Sequence, residues 1–157
     1  MLIFIHIIFS YLGTVAFGII TNIPRKALHF CGFTGMIGWM IYWLANTHDL
    51  GLGLSNFLGA LSIGLASIFF SRKKRMPMII FNIPSLVPLV PGGPAYKVVR
   101  EILLQNYPLA FQNLILVVIT AGAIAAGFMV TTLFEQVLSK HARLKKASET
   151  AKKTNKM

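Results

Sequence analysis

Four prolines and a glycine pair fall close together in the stretch "NIPSLVPLVPGGPAYKVV", as Pro84, Pro88, Pro91, Gly92, Gly93 and Pro94. The chemistry such residues offer is that of the main chain. Proline has no N–H and breaks the helical hydrogen-bond ladder, which leaves backbone groups open. Gly92-Gly93 supplies a turn, and Pro94 suits the first position of a new helix, "PAYKVVREILLQN". The amides near Gly93, Ala95 and Tyr96 would then point at the break, where a helix start favours an anion. A small carboxylate would be held there without a charged side chain. The candidate substrate-binding residues are therefore Pro88, Pro91, Gly92, Gly93 and Tyr96. Lys97 joins them, lining an outer vestibule that draws in an anionic substrate. Two plainer readings stand beside this one: a structural kink or outer loop at the break, and solvated interfacial charges at Lys97, Arg100 and Glu101. Lys97 and Glu101, four apart, have the spacing of a pair on one helix face.

Side-chain chemistry is sparse elsewhere. The four acidic residues, Asp49, Glu101, Glu135 and Glu149, are scattered along the chain. His6, His29, His48 and His141 lack metal-ligand spacing. There is no phosphate-binding loop and no nucleophile in a recognisable elbow. The sequence thus reads as a non-enzyme with no metal and no cofactor. His29, beside Arg25 and Lys26, is the candidate proton-linked residue, because imidazole changes charge near neutral pH; the alternative is an interfacial or packing histidine. The single cysteine, Cys31, excludes a disulfide within the chain and reads as a small packing residue.

The elements that must position these residues are apolar runs. Of the 157 residues, 55% are hydrophobic and 12% charged, against about 25% charged in soluble domains. Charges cluster at Arg25-Lys26, at Arg72 to Arg75, at Lys97 to Glu101 and after Ser139, with runs long enough to span about 30 Å of hydrocarbon between them. The fold class expected is an all-α integral membrane protein. Spans are placed at about Leu2–Ile23, Ala27–Ala45, Gly51–Ser71 and Leu109–Leu138. The proline-rich stretch lies within 77–106.

Basic residues flank spans on the cytoplasmic side and bind anionic headgroups there, which accounts for the net charge of +11 without nucleic acid. Placing Arg25-Lys26, "RKKR" and the seven Lys and Arg residues of the tail inside, and the turn at Asp49 outside, requires the proline-rich stretch to cross. Five transmembrane helices follow, the fourth discontinuous, with the N-terminus outside and the C-terminus in the cytoplasm. Residues 1–138 form the bundle, and 139–157 a basic, flexible cytoplasmic tail.

Small residues recur at helical spacing: Gly32, Gly35 and Gly38; Ser55, Gly59, Ser62 and Ala66; and Gly122 with Ala126 beside Ala123 and Gly127. Such stripes let helices approach closely in lipid. They offer more packing surface than a small bundle uses internally, which implies a partner subunit or a second copy of the chain.

"PRKALHFCGFTGMIGW" (24–39) followed by "IPSLVPLVPGGPAY" (83–96) resembles the threonine/serine exporter family, and most closely its small, separately encoded YjjB-type half. Pro88, Leu89, Val90, Pro91, Gly92 and Tyr96 form the most specific element. The resemblance implies a subunit of a secondary exporter in the bacterial inner membrane. It would export threonine and serine, or dicarboxylates such as succinate, driven by the proton gradient and paired with a larger membrane subunit. A non-transporting scaffold that stabilises a partner, and a passive channel subunit, remain the alternatives.

Overall fold

The computed structural model describes the backbone of residues 2–154 and the side chains of residues 3–140. Four helices are long and apolar enough to cross a membrane. They are α1 (Leu2–Ile20), α2 (Arg25–Thr47), α3 (Leu52–Lys74) and α6 (Tyr107–Thr154). Between α3 and α6 lie α4 (Ile79–Ser85), a single 3₁₀ turn (Val87–Leu89) and α5 (Gly92–Leu103). No strand occurs among the described residues. This is an all-α membrane architecture, with a shorter apolar segment at Ile79–Leu89 beside the four long helices.

The helices end where their sequences say they should. Asn22, Asp49, Arg75 and Gln105 adopt a left-handed conformation at or just past the ends of α1, α2, α3 and α5, as chain-reversing C-terminal residues commonly do. Pro24 precedes α2, and Gly51, at φ 82°, precedes α3.

Contacts between facing residues fix the direction of each pass. Gly18 of α1 meets Leu28 of α2, and His6 stacks near Trp39 and Trp43, so α1 and α2 are antiparallel. Gly38 faces Gly59 and Phe30 faces Phe70, so α2 and α3 are antiparallel too. Gly53 faces Ile119, Gly64 faces Thr131, and Gly127 faces Ala60. Hence α3 and α6 are parallel. Two consecutive long passes in one direction require a return between them.

The return is the broken segment. Phe81 sits among Ala27, Cys31, Ile23 and Phe70 at the end marked by Arg25 and Lys74. Pro84 lies near Gly18, Leu89 packs on Ala60 and Ile63, and Pro91 and Pro94 reach the level of Leu52 at the opposite end. Sequence reasoning thus located the fourth pass and its discontinuity correctly. It erred on one boundary, because α5 begins at Gly92 and Pro94 falls third in the helix. No rule is broken by this, since the amides of the first turn have no intrahelical partner.

The helix α6 continues through Thr154 with no interruption at Leu138. Its start also overshoots. Ile119 is level with Gly53, so Tyr107, twelve residues earlier, stands about 18 Å further out at 1.5 Å per residue. There α5 runs back along α6, with Val98 and Ile102 beside Tyr107, Ala110 and Leu114.

Candidate functional site at the broken segment

Two close helix approaches set the site's dimensions. A Cβ on Gly59 would lie 3.1 Å from the Gly38 carbonyl, and one on Gly127 would lie 2.9 Å from the Phe57 carbonyl. These glycines pull α2 and α6 tightly against α3 in mid-bundle. Leu89 of the broken segment packs at the same level, 3.2 Å from a Cβ on Gly59.

The break is anchored on one side by Cys31. Pro84 cannot donate to the carbonyl four residues earlier, that of Ile80. The Cys31 thiol donates to that carbonyl at 3.4 Å, and the Ser85 hydroxyl donates to the Cys31 carbonyl at 3.0 Å. Pro84, Ser85 and Phe81 are all buried. This half of the break is therefore protein-buried, with its freed backbone carbonyl satisfied, as apolar surroundings demand.

The other half lines open space. A cavity of about 390 Å3 is bounded by Trp39 and Tyr42 of α2, Leu52 and Asn56 of α3, Pro88 to Pro91 and Pro94 of the break, and Leu116 and Thr120 of α6. That volume is within the range of small-molecule sites, about 300–1,000 Å3. Its wall is mostly apolar and includes no charged side chain. Asn56, 2% exposed, and Thr120, 5% exposed, are its buried polar residues. The Asn56 amide donates to the Leu52 carbonyl at 2.8 Å, which leaves its own carbonyl oxygen as an acceptor.

On the opposite face of Pro88 a second cavity, of about 260 Å3, is lined by Val87, Trp39 and one side of α1: Ile5, His6, Phe9, Ser10 and Gly13. Trp39 walls both spaces. Its indole N–H donates to His6 Nδ1 at 3.2 Å. An indole nitrogen can only donate, so Nδ1 carries the lone pair and a neutral His6 carries its proton on Nε2.

Of the residues expected from the sequence, the structure brings Pro88 and Pro91 to the large cavity. Gly92 and Gly93 are exposed at the start of α5, with nothing within 4 Å of an added Cβ. Tyr96, 69% exposed, and Lys97, also exposed, do not line it. The expected row of free amides is also shorter. The Gly92 amide donates to the Val90 carbonyl and that of Ala95 to the Pro91 carbonyl, which leaves the Gly93 amide at the turn. Glu101 pairs with Arg100 at 3.3 Å instead of with Lys97. His29 is exposed, 2.8 Å from the Tyr11 hydroxyl through Nδ1, and lines neither cavity.

Sequence reasoning missed Asn56, Thr120, His6 and Trp39. A polar side chain inside an apolar span is costly, and it faces protein or a cavity when present. Asn56 in "GLSNFLG" carried that signal.

Residues 6–134 match the family model described as "Threonine/Serine exporter, ThrE". No solved structure matches the chain.

Proposed function

Since the chain belongs to the threonine/serine exporter family, we propose that it is a membrane subunit of a secondary exporter of small carboxylate-bearing metabolites, threonine and serine first. The observation that carries this reading is the cavity of about 390 Å3 beside an unwound segment, mostly apolar but with the neutral polar groups of Asn56 and Thr120 in its wall. Irregular backbone at membrane depth is tolerated where it is buried in protein or lines a cavity. Both conditions hold here, on opposite halves of one segment.

The chemistry follows from the wall. A zwitterionic amino acid carries both charges itself, so it needs dipoles of both signs and no counter-ion. The Asn56 carbonyl oxygen accepts from an ammonium or hydroxyl group. The Thr120 hydroxyl supplies a donor for a carboxylate. Tyr42 and Trp39 close the inner side. A dicarboxylate such as succinate would bring two negative charges to a wall without a cation, and burying an unpaired charge is expensive. The geometry therefore favours the amino acid.

The orientation we assign follows the basic residues. Arg72, Lys73 and Lys74 in the last turn of α3, together with Arg25 and Lys26, mark the cytoplasmic end of a bacterial inner-membrane bundle. The cavity then lies in the outer half, with the N-terminus outside and the C-terminus inside. The exposed apolar helix faces contact lipid and a larger membrane subunit of the same family.

The test is export from cells that lack their own exporters, loaded with threonine, serine or succinate. The chain is expressed alone and then with its membrane partner. Threonine and serine leaving only when both are present supports the two-subunit exporter. A stable complex with no export of any of the three would favour a scaffold.

A further inference from the structure

Trp39 stands between two spaces, and a hydrogen bond from its indole N–H ties it to α1. It lines both the recess beside α1 and the large cavity beside α6, and Pro88 shares that position with it. Tyr42 stacks on its ring at 5.1 Å, and the Ala60, Ile63, Leu89 and Ile124 cluster packs against it. An indole N–H in apolar surroundings needs an acceptor, and His6 Nδ1 supplies it at 3.2 Å. His6 lies half-buried in the second turn of α1, its ring 5.9 Å from that of Trp39 and 5.4 Å from that of Trp43. An ionisable side chain within an apolar span is costly, and it marks a functional position when present.

The bond exists in one protonation state alone. Neutral imidazole offers Nδ1 as an acceptor, whereas imidazolium carries a hydrogen on both nitrogens and accepts nothing. A proton bound at Nδ1 takes the lone pair that Trp39 uses, and two N–H groups are left facing each other. The cation so formed stays beside two indole rings, the best aromatic partners for a charge within about 6 Å. The groups that face His6 from α2 are Trp39 and Trp43, with Tyr42 behind Trp39. Those from the broken segment are Val87 and Pro88, and on α1 Ser10 lines the same recess. Tyr42 is the titratable one among these neighbours. No Asp, Glu, Lys or Arg lines either space. His48 and Asp49 are exposed in the turn past Trp43. A change of charge within the cluster therefore falls to His6.

We propose that His6 is the positioning residue of the large cavity: neutral, it fixes Trp39 as the partition between the two spaces, and protonated, it releases Trp39 and joins them. The proton comes from water at the end of the bundle that carries the Asp49 turn, the outer side in the orientation assigned above. His29, which lines neither space, has no such hold on a cavity wall. The proposal rests on the exporter reading and deepens it, because substrate in the large cavity gains an exit that opens when a proton arrives from outside.

The chain's two tryptophans are Trp39 and Trp43, and imidazolium quenches indole fluorescence far more than neutral imidazole does. Emission of the purified chain in detergent should therefore fall as the pH is lowered from about 8 to about 5, the range in which imidazole gains its charge. His6→Asn keeps a neutral acceptor near the Nδ1 position and cannot titrate. Its emission should stay flat and its unfolding temperature near that of the wild type. The cavity itself is read by labelling Thr120→Cys in the Cys31→Ser chain. At a pH of about 5.5, where imidazole is mostly charged, labelling should be several-fold faster with His6 than with His6→Asn. Near pH 8, about the upper end of that range, the two should label alike. Comparing them at one pH cancels the thiol's own pH dependence. No emission step in the wild type, or the same step in His6→Asn, overturns the latch. An emission step with equal labelling overturns its hold on the cavity. In vesicles with the proposed partner subunit, threonine export should follow the outside pH with His6 and not with His6→Asn, and an unchanged pH profile overturns the role in release. Wild-type vesicles that export none of threonine, serine and succinate would instead remove the exporter reading, while emission and labelling would still decide the latch.

Discussion

Cys31 illustrates how a single side chain makes a broken helix tolerable. Pro84 removes the donor for the Ile80 carbonyl, and the Cys31 thiol replaces it from a neighbouring helix. Composition alone presents Cys31 as a small packing residue, because nothing local shows that its partner lies 49 positions away. Cys31→Ala should therefore lower stability by about 1–2 kcal/mol, through an unpaired buried carbonyl, whereas Cys31→Ser should hold most of it. Thermal unfolding in detergent reads the difference. Equal losses in the two variants would show that the thiol acts by volume alone. Asn56 and Thr120 escaped sequence reasoning for a related reason. Each is one polar residue in an apolar run, and whether it faces lipid, protein or a cavity is decided by helices distant in sequence. Pro88 and Pro91 were legible because a proline in an apolar stretch is informative wherever it faces. The residues just after them were not. The rotation of α5 turns Tyr96 and Lys97 outward, and no local pattern sets that rotation.

At the level of elements, the glycines separate into those that dock helices and those that do not. Gly32, Gly35 and Gly38 all face a neighbouring helix, Tyr11, Val15 and Thr14 covering the first two and Ile63 the third. In α6 the sequence pattern is ambiguous, because Gly122, Ala126 and Gly127 all have small side chains. The structure chooses Gly127, whose added Cβ would meet the Phe57 carbonyl and the Leu61 amide nitrogen, and leaves Gly122 in open space. Backbone atoms cannot move aside as a flexible side chain can. Gly127→Ala should thus cost about 1–3 kcal/mol by overpacking the α3–α6 interface, while Gly122→Ala should be neutral or slightly stabilising through helix propensity. Unfolding midpoints of the two variants check this, and equal effects would mean that α6 docks on α3 through another face. The apolar spans themselves were readable to within three residues at each end, except that α6 continues past Leu138 to Thr154. Their length and composition are set by the bilayer, whereas helix rotation depends on packing.

For the whole molecule, the parallel run of α3 and α6 forces a fifth pass through the broken segment. The orientation proposed above puts the basic ends inside. In a Cys31→Ser chain, a cysteine at Leu50 should react with a membrane-impermeant thiol reagent added to intact cells, and cysteines at Lys73 and Lys140 should react only after permeabilisation. Labelling of Lys140→Cys in intact cells would reverse the assignment of the C-terminal end. On that proposed orientation, the larger cavity opens toward the outer side. Substrate binding between the broken segment and α6, as proposed, is therefore open to direct measurement. In the Cys31→Ser chain with the proposed partner subunit, Thr120→Cys is labelled in membranes with and without L-threonine. Threonine should slow labelling over the concentration range in which it is exported, and a solute that is not exported should leave the rate unchanged. Labelling unaffected by threonine, in membranes that still export it, would place the substrate elsewhere.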